Sequence, residues 1–388
     1  MKIKEANKDY LVFYRMGDFY ELFFDDAELV SRELELTLTG KDCGLSERAP
    51  MCGVPYHAVD TYVARLIEKG YRVAICDQMT DPAESKGLVE RAVTRVITPG
   101  TLIESTMLDE HAANYIMAVC QQKKGAGIAF CDVSTGEFFV HQLANVSAEL
   151  NDELARIAPR ELVVMDAEPL RAYAQAHSIL LTEAPAETFA AATAAKVLRD
   201  HFRVSSLDNL EIGDLKIGVR AAGALMSYLI KTQKNALKHI VTIQRYYAER
   251  FMLLDATAQR SLELTSSLRG RSRKGTLLWL LDQTMTTMGS RLLRSWIEQP
   301  LVSKADILKR QDAIAYFVDD PFLRDDLRET MKPIHDVERL LSRIAYATVN
   351  ARDCLALLTS LKAVPPIAEK LKNTGIERLD ELYAMLDP

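Results

Sequence analysis

The sequence predicts a multidomain protein in which two α/β domains precede an all-α region, and three observations carry this. At 388 residues the chain is longer than one ordinary core organises. Strand-like and helix-like apolar patterns alternate at short spacing as far as Lys234. From about Asp255 the strand signals vanish, and apolar residues recur at spacings of three and four.

In the first stretch, YLVFYRMGDFYELF reads as strand, turn and the start of a helix. Helices are predicted over 25–34 and 61–69, with LELTLT and a turn-rich loop, GKDCGLSERAP, between them. YRVAICDQ and RAVTRVITPG read as strands, and Pro99-Gly100 punctuates the end. The second stretch offers strands at NYIMAVCQ, GAGIAFCDVS and GEFFVHQL, the last two joined by a turn at Thr135-Gly136. LNDELARI reads as a helix, ELVVMD and HSILLTE as strands, and helices are predicted over 186–202 and 217–234. KNALKHIVTIQRYY reads as the connection out. In the last third, helices are predicted over 307–317, 321–330, 336–346 and 349–363, followed by the amphipathic ERLDELYAMLD.

Composition narrows the function. Lys and Arg number 48 against 54 Asp and Glu, a net charge of −6, so the chain does not coat nucleic acid by bulk attraction. Any DNA contact must be local. Cys43, Cys52, Cys76, Cys120, Cys131 and Cys354 form no CxxC pair and mostly sit in apolar contexts. They read as reduced, buried thiols of a cytoplasmic protein, without a zinc site or disulfide frame. MKIKEANKDY has no apolar core, and no run approaches the roughly 18 apolar residues of a membrane span. Low-complexity tracts and internal repeats are absent, which argues against solenoids and propellers.

Catalytic signatures are also missing. GxxxxGK[ST] has no match, since RKGTLL lacks the leading glycine, and HExxH, GxSxG and kinase motifs do not occur. The chain is therefore expected to bind no metal and no ATP by itself. His57, in GVPYHA, has no adjacent nucleophile or metal partner and reads as structural. Two segments invite chemistry. Residues 13–23 place five aromatics around Gly17-Asp18. They suit either a core strand and turn, or a wedge in which an exposed aromatic enters between base steps while a neighbouring carboxylate tests a base edge. AFCDVSTGEFFV sets Asp132 at a strand end before a Ser-Thr-Gly turn, as in ribonuclease H-like nucleases and actin-like phosphotransferases. With Asp166 after ELVVMD it could share a divalent metal, although a hairpin whose Asp and Thr satisfy turn hydrogen bonds explains the same residues. A protein-interaction scaffold is the third class.

FYRMGDFYELF, then APMCGVPYHAVDTYVARLIEKGYRVAICDQ, then VITPGT closely resemble bacterial MutS, the DNA mismatch-recognition family, in wording and order. LDATAQRSLEL, TMGSRLLRSWIEQPL and RQDAI resemble the core region of the same family, so the likeness covers essentially the whole chain.

The resemblance implies three regions: an α/β mismatch-binding domain at 1–108, an α/β ribonuclease H-like connector domain without a nuclease site at 109–250, and the first part of an all-α core with lever helices at 251–388. The family's Phe-x-Glu motif falls on Phe19 and Glu21. There the Phe stacks on a mispaired base from the minor groove and the duplex kinks, so the wedge senses weak pairing rather than sequence. Backbone contacts are expected from Arg15, Lys41, Arg48, Lys86, Arg91 and Arg95. Family members often carry Arg at the place of Lys41, where a Lys supplies a point charge instead of a fork. The family further implies a homodimeric, nucleoid-associated DNA clamp, ATP and Mg in the full-length protein, and the downstream repair protein MutL as partner. Its ATPase and clamp domains are expected beyond Pro388.

Overall fold

The structure is a computed structural model that describes residues 2–42, 44, 47–79, 91–144, 146–234, 237–269 and 272–386. Its first sheet comprises β1 (Leu11–Met16), β2 (Phe19–Phe23), β3 (Thr39–Lys41), β4 (Ala49–Pro55), β5 (Val73–Gln78) and β6 (Arg91–Ile97), in the order β3-β4-β2-β1-β5-β6. Only the β1–β5 pair is parallel. Side chains of alternating strand residues point to opposite faces. Leu11, Phe13, Tyr20 and Leu22 therefore meet helices Phe24–Leu34 and Val59–Glu68 through Ala27, Val30, Val63 and Leu66. The opposite face holds a smaller apolar cluster of Val12, Ala74, Cys76 and Val96.

The second sheet comprises β7 (Tyr115–Gln122), β8 (Gly125–Asp132), β9 (Glu137–Leu143), β10 (Glu161–Val164), β11 (Leu180–Glu183) and β12 (Gln244–Arg245), in the order β11-β10-β7-β8-β9-β12. β7, β8 and β9 form an antiparallel meander, β10 joins β7 in parallel and β11 joins β10 in parallel. β8 and β10 are buried at every residue because both faces are covered. Helix Lys216–Gln233 packs one face through Val219, Ala222, Leu225 and Leu229, and helices Val146–Ile157 and Glu168–Ala176 pack the other through Leu150, Leu154 and Leu170. A Cβ at Gly127 would lie 2.1 Å from the Ile217 carbonyl oxygen, so this glycine is what admits the first of these helices so closely.

The TPG turn that ends the first unit is fixed by a buried carboxylate of the second. Glu161 accepts hydrogen bonds from the Thr98 hydroxyl, from the Gly100 amide at 3.4 Å, and from the Thr182 and Tyr228 hydroxyls at 2.7 Å each. Gly100 must be glycine, since a Cβ there would stand 2.8 Å from the Cβ atoms of both Glu161 and Ile116.

Beyond Asp255 the described residues form helices at Ala256–Ser261, Leu277–Leu281, Thr287–Glu298, Lys304–Asp319, Pro321–Met331, Val337–Ala345, Ala351–Leu371 and Glu377–Met385, joined by turns and loops. Ser303, Asp320, Asp336 and Asn350 cap four of them by accepting from backbone N–H groups of the first turn. One small buried cluster, Leu264, Leu278 and Ile297, lies here, while Leu280, Leu355 and Phe322 stay largely exposed. Among the described residues, no helix is long and apolar enough to cross a membrane.

Several details differ from the sequence reading. The helix expected to stop at residue 363 runs to Leu371 through Pro365 and Pro366. Those prolines are exposed, and the carbonyls that lose N–H partners belong to the exposed residues Leu361 and Lys362, so the break in the helix ladder costs less there than it would in a core. Helix Glu168–Ala176 was not anticipated, and the expected connection contains β12, which pairs with β9. FYELF, which reads as the start of a helix, is instead strand β2, because it pairs antiparallel with both β1 and β4. Cys52, Cys76, Cys120 and Cys131 are buried thiols as expected, but Cys354 is exposed on its helix, and Cys43 lies outside the described residues.

Candidate nucleic-acid interface

Met16 pairs with Phe19 across a two-residue turn, Gly17-Asp18, with φ +58° at Gly17. A positive φ at the first turn position suits a hairpin whose twist matches its strands, and glycine adopts it without steric cost. Alternation along β2 then buries Tyr20 and Leu22 and sends Phe19, Glu21 and Phe23 to the other face. Phe19 is 47% exposed at the tip.

The strand behind it is held firmly. Tyr20 donates to Asp77 at 2.8 Å, and Thr94 donates to the other oxygen of the same carboxylate at 2.5 Å. Burial and then the Asp77 charge push the Tyr20 phenol well above its ordinary range, so it remains the donor. Arg15, opposite Tyr20, lies with its guanidinium 3.8 Å from the Tyr56 ring centroid and 5.5 Å from that of Tyr20. Tyr20→Phe should therefore lower stability by about 1 kcal/mol, the net worth of one hydrogen bond. Urea titration checks this, and a change below the resolution of that titration would mean that Asp77 does not restrain the strand.

Glu21 forms an ion pair with Lys41, which reaches it from β3 across β4. Arg48 is exposed, with its side chain running beside Gly40. Arg91 lies against the end of β1, with Nε 3.4 Å from the Arg15 carbonyl oxygen and Nη2 3.2 Å from the Met16 sulfur. Arg15, Lys41 and Arg91 thus belong to the sheet that presents Phe19, and Arg48 immediately precedes its strand β4. Lys86 lies outside the described residues.

Arg95 requires a correction. Its side chain is 12% exposed and pairs with Glu104, donates to the Thr101 carbonyl at 3.2 Å and to Gln233 Oε1 at 3.2 Å, and lies 5.1 Å from the Tyr346 ring centroid. Its donors are committed to a junction between the first sheet, the helix on the second sheet and the all-α region, so it is not presented to phosphate. Tyr346 completes the junction by donating to Gln233 at 3.1 Å.

The paired-carboxylate nuclease reading is also corrected. Asp132 is fully buried and accepts from the Asn114 and Ser134 amides, each at 2.8 Å, and from the Ser134 hydroxyl at 2.6 Å. It aligns with Tyr115 at one end of β7, whereas Val164 aligns with Val119 and Asp166 lies beyond that end. At about 3.3 Å per residue the carboxylates are more than ~13 Å apart, too far to share an ion. Asp132 instead orders the turn into β9, beside an anchor for the all-α helices. There Arg339 donates to the Ala112 carbonyl at 2.9 Å and to the Ser134 hydroxyl at 3.3 Å.

The Tyr20–Asp77–Thr94 group, the Glu161 hub and the Arg95 junction were not identified from sequence. Their members lie far apart in the chain, Arg95 and Gln233 by 138 residues and Arg95 and Tyr346 by still more, and no local pattern marks them.

Fold and site together define a multidomain protein with two sheet-based units, an α-helical region and an aromatic at the tip of a hairpin in the first unit. Family models for MutS domain I, MutS domain II and MutS domain III match residues 1–106, 114–241 and 257–387. The chain belongs to the MutS family. It is 45% identical, over 98% of its length, to the DNA mismatch repair protein MutS of Ruminiclostridium cellulolyticum. Identity to the protein of the same name from Symbiobacterium thermophilum is 46% over the full chain, and to that from Lachnoclostridium phytofermentans 42% over the full chain. The chain spans 45%, 45% and 42% of these relatives.

Proposed function

We propose that this chain carries the mismatch-reading part of a DNA mismatch repair protein, with Phe19 as the wedge and Glu21 as the group that tests the displaced base. The observation that carries this reading is the exposed Phe19 at a hairpin tip, on the same strand face as a carboxylate, within the part matched to MutS domain I. An aromatic that must unstack a base step gains most where pairing is already broken, so affinity follows duplex deformability. Arg15, Arg48 and Arg91 are candidate contacts to the duplex, Lys41 is already paired with Glu21, and Lys86 joins the set in sequence only.

The same reading divides the chain at about 108 and 250 into mismatch-binding, connector and core regions. The meander β7-β8-β9, with β10 and β11 added in parallel beyond β7, supports a ribonuclease H-like connector. Homodimerisation, ATP with Mg, the partner MutL and association with the nucleoid are what the family adds to this reading.

The test is direct. The full-length protein should bind a duplex carrying one G·T mispair more tightly than its matched control in fluorescence anisotropy. Equal affinities would overturn the reading in favour of an interaction scaffold.

A further inference from the structure

We propose that Lys41 is a specificity-determining residue that acts through Glu21 rather than through a phosphate contact of its own; this rests on the mismatch reading above. Lys41 ends the edge strand β3, and its side chain turns inward across β4 to the Glu21 carboxylate. Along the way its ammonium group stands 5.7 Å from the Phe23 ring centroid. The β4 residue opposite Glu21 is Gly53, where even a Cβ would come within 3.6 Å of Glu21 Cγ. On the other flank Glu21 faces Tyr14, whose ring leans edge-on to Phe23 at 5.8 Å. Lys41 is thus the cation paired with Glu21 on this face, in contact with the carboxylate before any duplex arrives.

The pair gives Lys41 a role that a surface cation lacks. A bare carboxylate beside a phosphate backbone repels it, and the ammonium group cancels that charge where the wedge meets DNA. On matched duplex, Glu21 has no displaced base to engage, so the ion pair persists and masks the repulsion. On mismatched duplex, Glu21 gains a base edge and depends less on Lys41. Lys41 therefore supports matched binding more than mismatched binding. A phosphate contact would support both alike.

The experiment uses the full-length protein with Lys41→Met, Glu21→Gln and the double variant, each titrated against matched and G·T duplexes over a range of salt. Lys41→Met should weaken matched binding about two- to fivefold, the range of a partly exposed ion pair, and weaken G·T binding by less, so discrimination rises. In the Glu21→Gln background the substitution should lose this differential effect, and Lys41→Arg should restore wild-type behaviour in the Glu21 background. Equal losses on both duplexes, with the salt slope reduced by about 1, would identify a phosphate contact and overturn the proposal. Persistence of the differential effect without the Glu21 charge would overturn it as well. If the unmodified protein shows no preference for G·T, the mismatch reading itself fails and takes this proposal with it.

Discussion

Arg95→Met is expected to lower the stability of the chain by about 3 kcal/mol. Removing one partner of a buried ion pair costs roughly 3 to 5 kcal/mol because the other charge is left without compensation. Arg95 and Glu104 retain 12% and 18% side-chain exposure, which puts the expectation at the low end of that range. Burial opposes the charge on both groups, yet each holds the other ionised: Arg95 is shifted up and Glu104 down. Methionine fills much of the volume without the charge, so the loss reports the pair rather than a cavity. The double variant with Glu104→Met should recover most of the stability, since two apolar side chains leave no charge unpaired. Calorimetric unfolding of single and double variants measures this. A single variant as stable as the parent, with lower DNA affinity and a shallower salt dependence, would return Arg95 to the phosphate contacts.

Arg95 also shows where sequence reasoning stops. Strand periodicity placed β6 correctly, but alternation says only which residues share a face, and the first sheet has covered surfaces on both sides. What covers Arg95 comes from Gln233 and Tyr346, at separations that hydropathy cannot reach. Glu161 is similar, since ELVVMD reads as an ordinary strand and gives no sign that its first residue closes on Thr98 and Gly100. The long elements were legible because their periods are strong, as in Phe24–Leu34 and Lys216–Gln233. The short helix Glu168–Ala176 and the two-residue β12 are fixed mainly by packing against the second sheet. At the candidate site the turn at Gly17-Asp18 was readable, but the segment after it reads locally as a helix start, and its pairing with β1 and β4 is what makes it strand β2 and leaves Phe19 exposed. The Lys41–Glu21 pair was not readable, because it crosses an intervening strand.

Phe19→Ala should bring mismatch binding down towards the level of matched duplex while leaving matched binding nearly unchanged. The ring is 47% exposed and lies at the strand tip, so truncation removes little buried area and the fold should survive. The backbone that presents it is restrained on both sides. The Tyr56 amide donates to the Asp18 carbonyl at 2.9 Å, and Tyr20 is tied to Asp77 at 2.8 Å. A wedge so held loses little freedom on entering the duplex, and its stacking energy goes into opening the base step. Stacking of an aromatic on a base is worth about 1 to 3 kcal/mol, so the mismatch preference should fall by roughly five- to 150-fold. Phe19→Leu keeps bulk without a π face and should fall between the two, whereas Phe19→Tyr should stay near the parent. Anisotropy titrations of G·T and matched duplexes at one fixed salt concentration give these ratios directly. If Phe19→Ala lowers both affinities by the same factor, the ring is a general contact to the groove, and discrimination must arise elsewhere on this face.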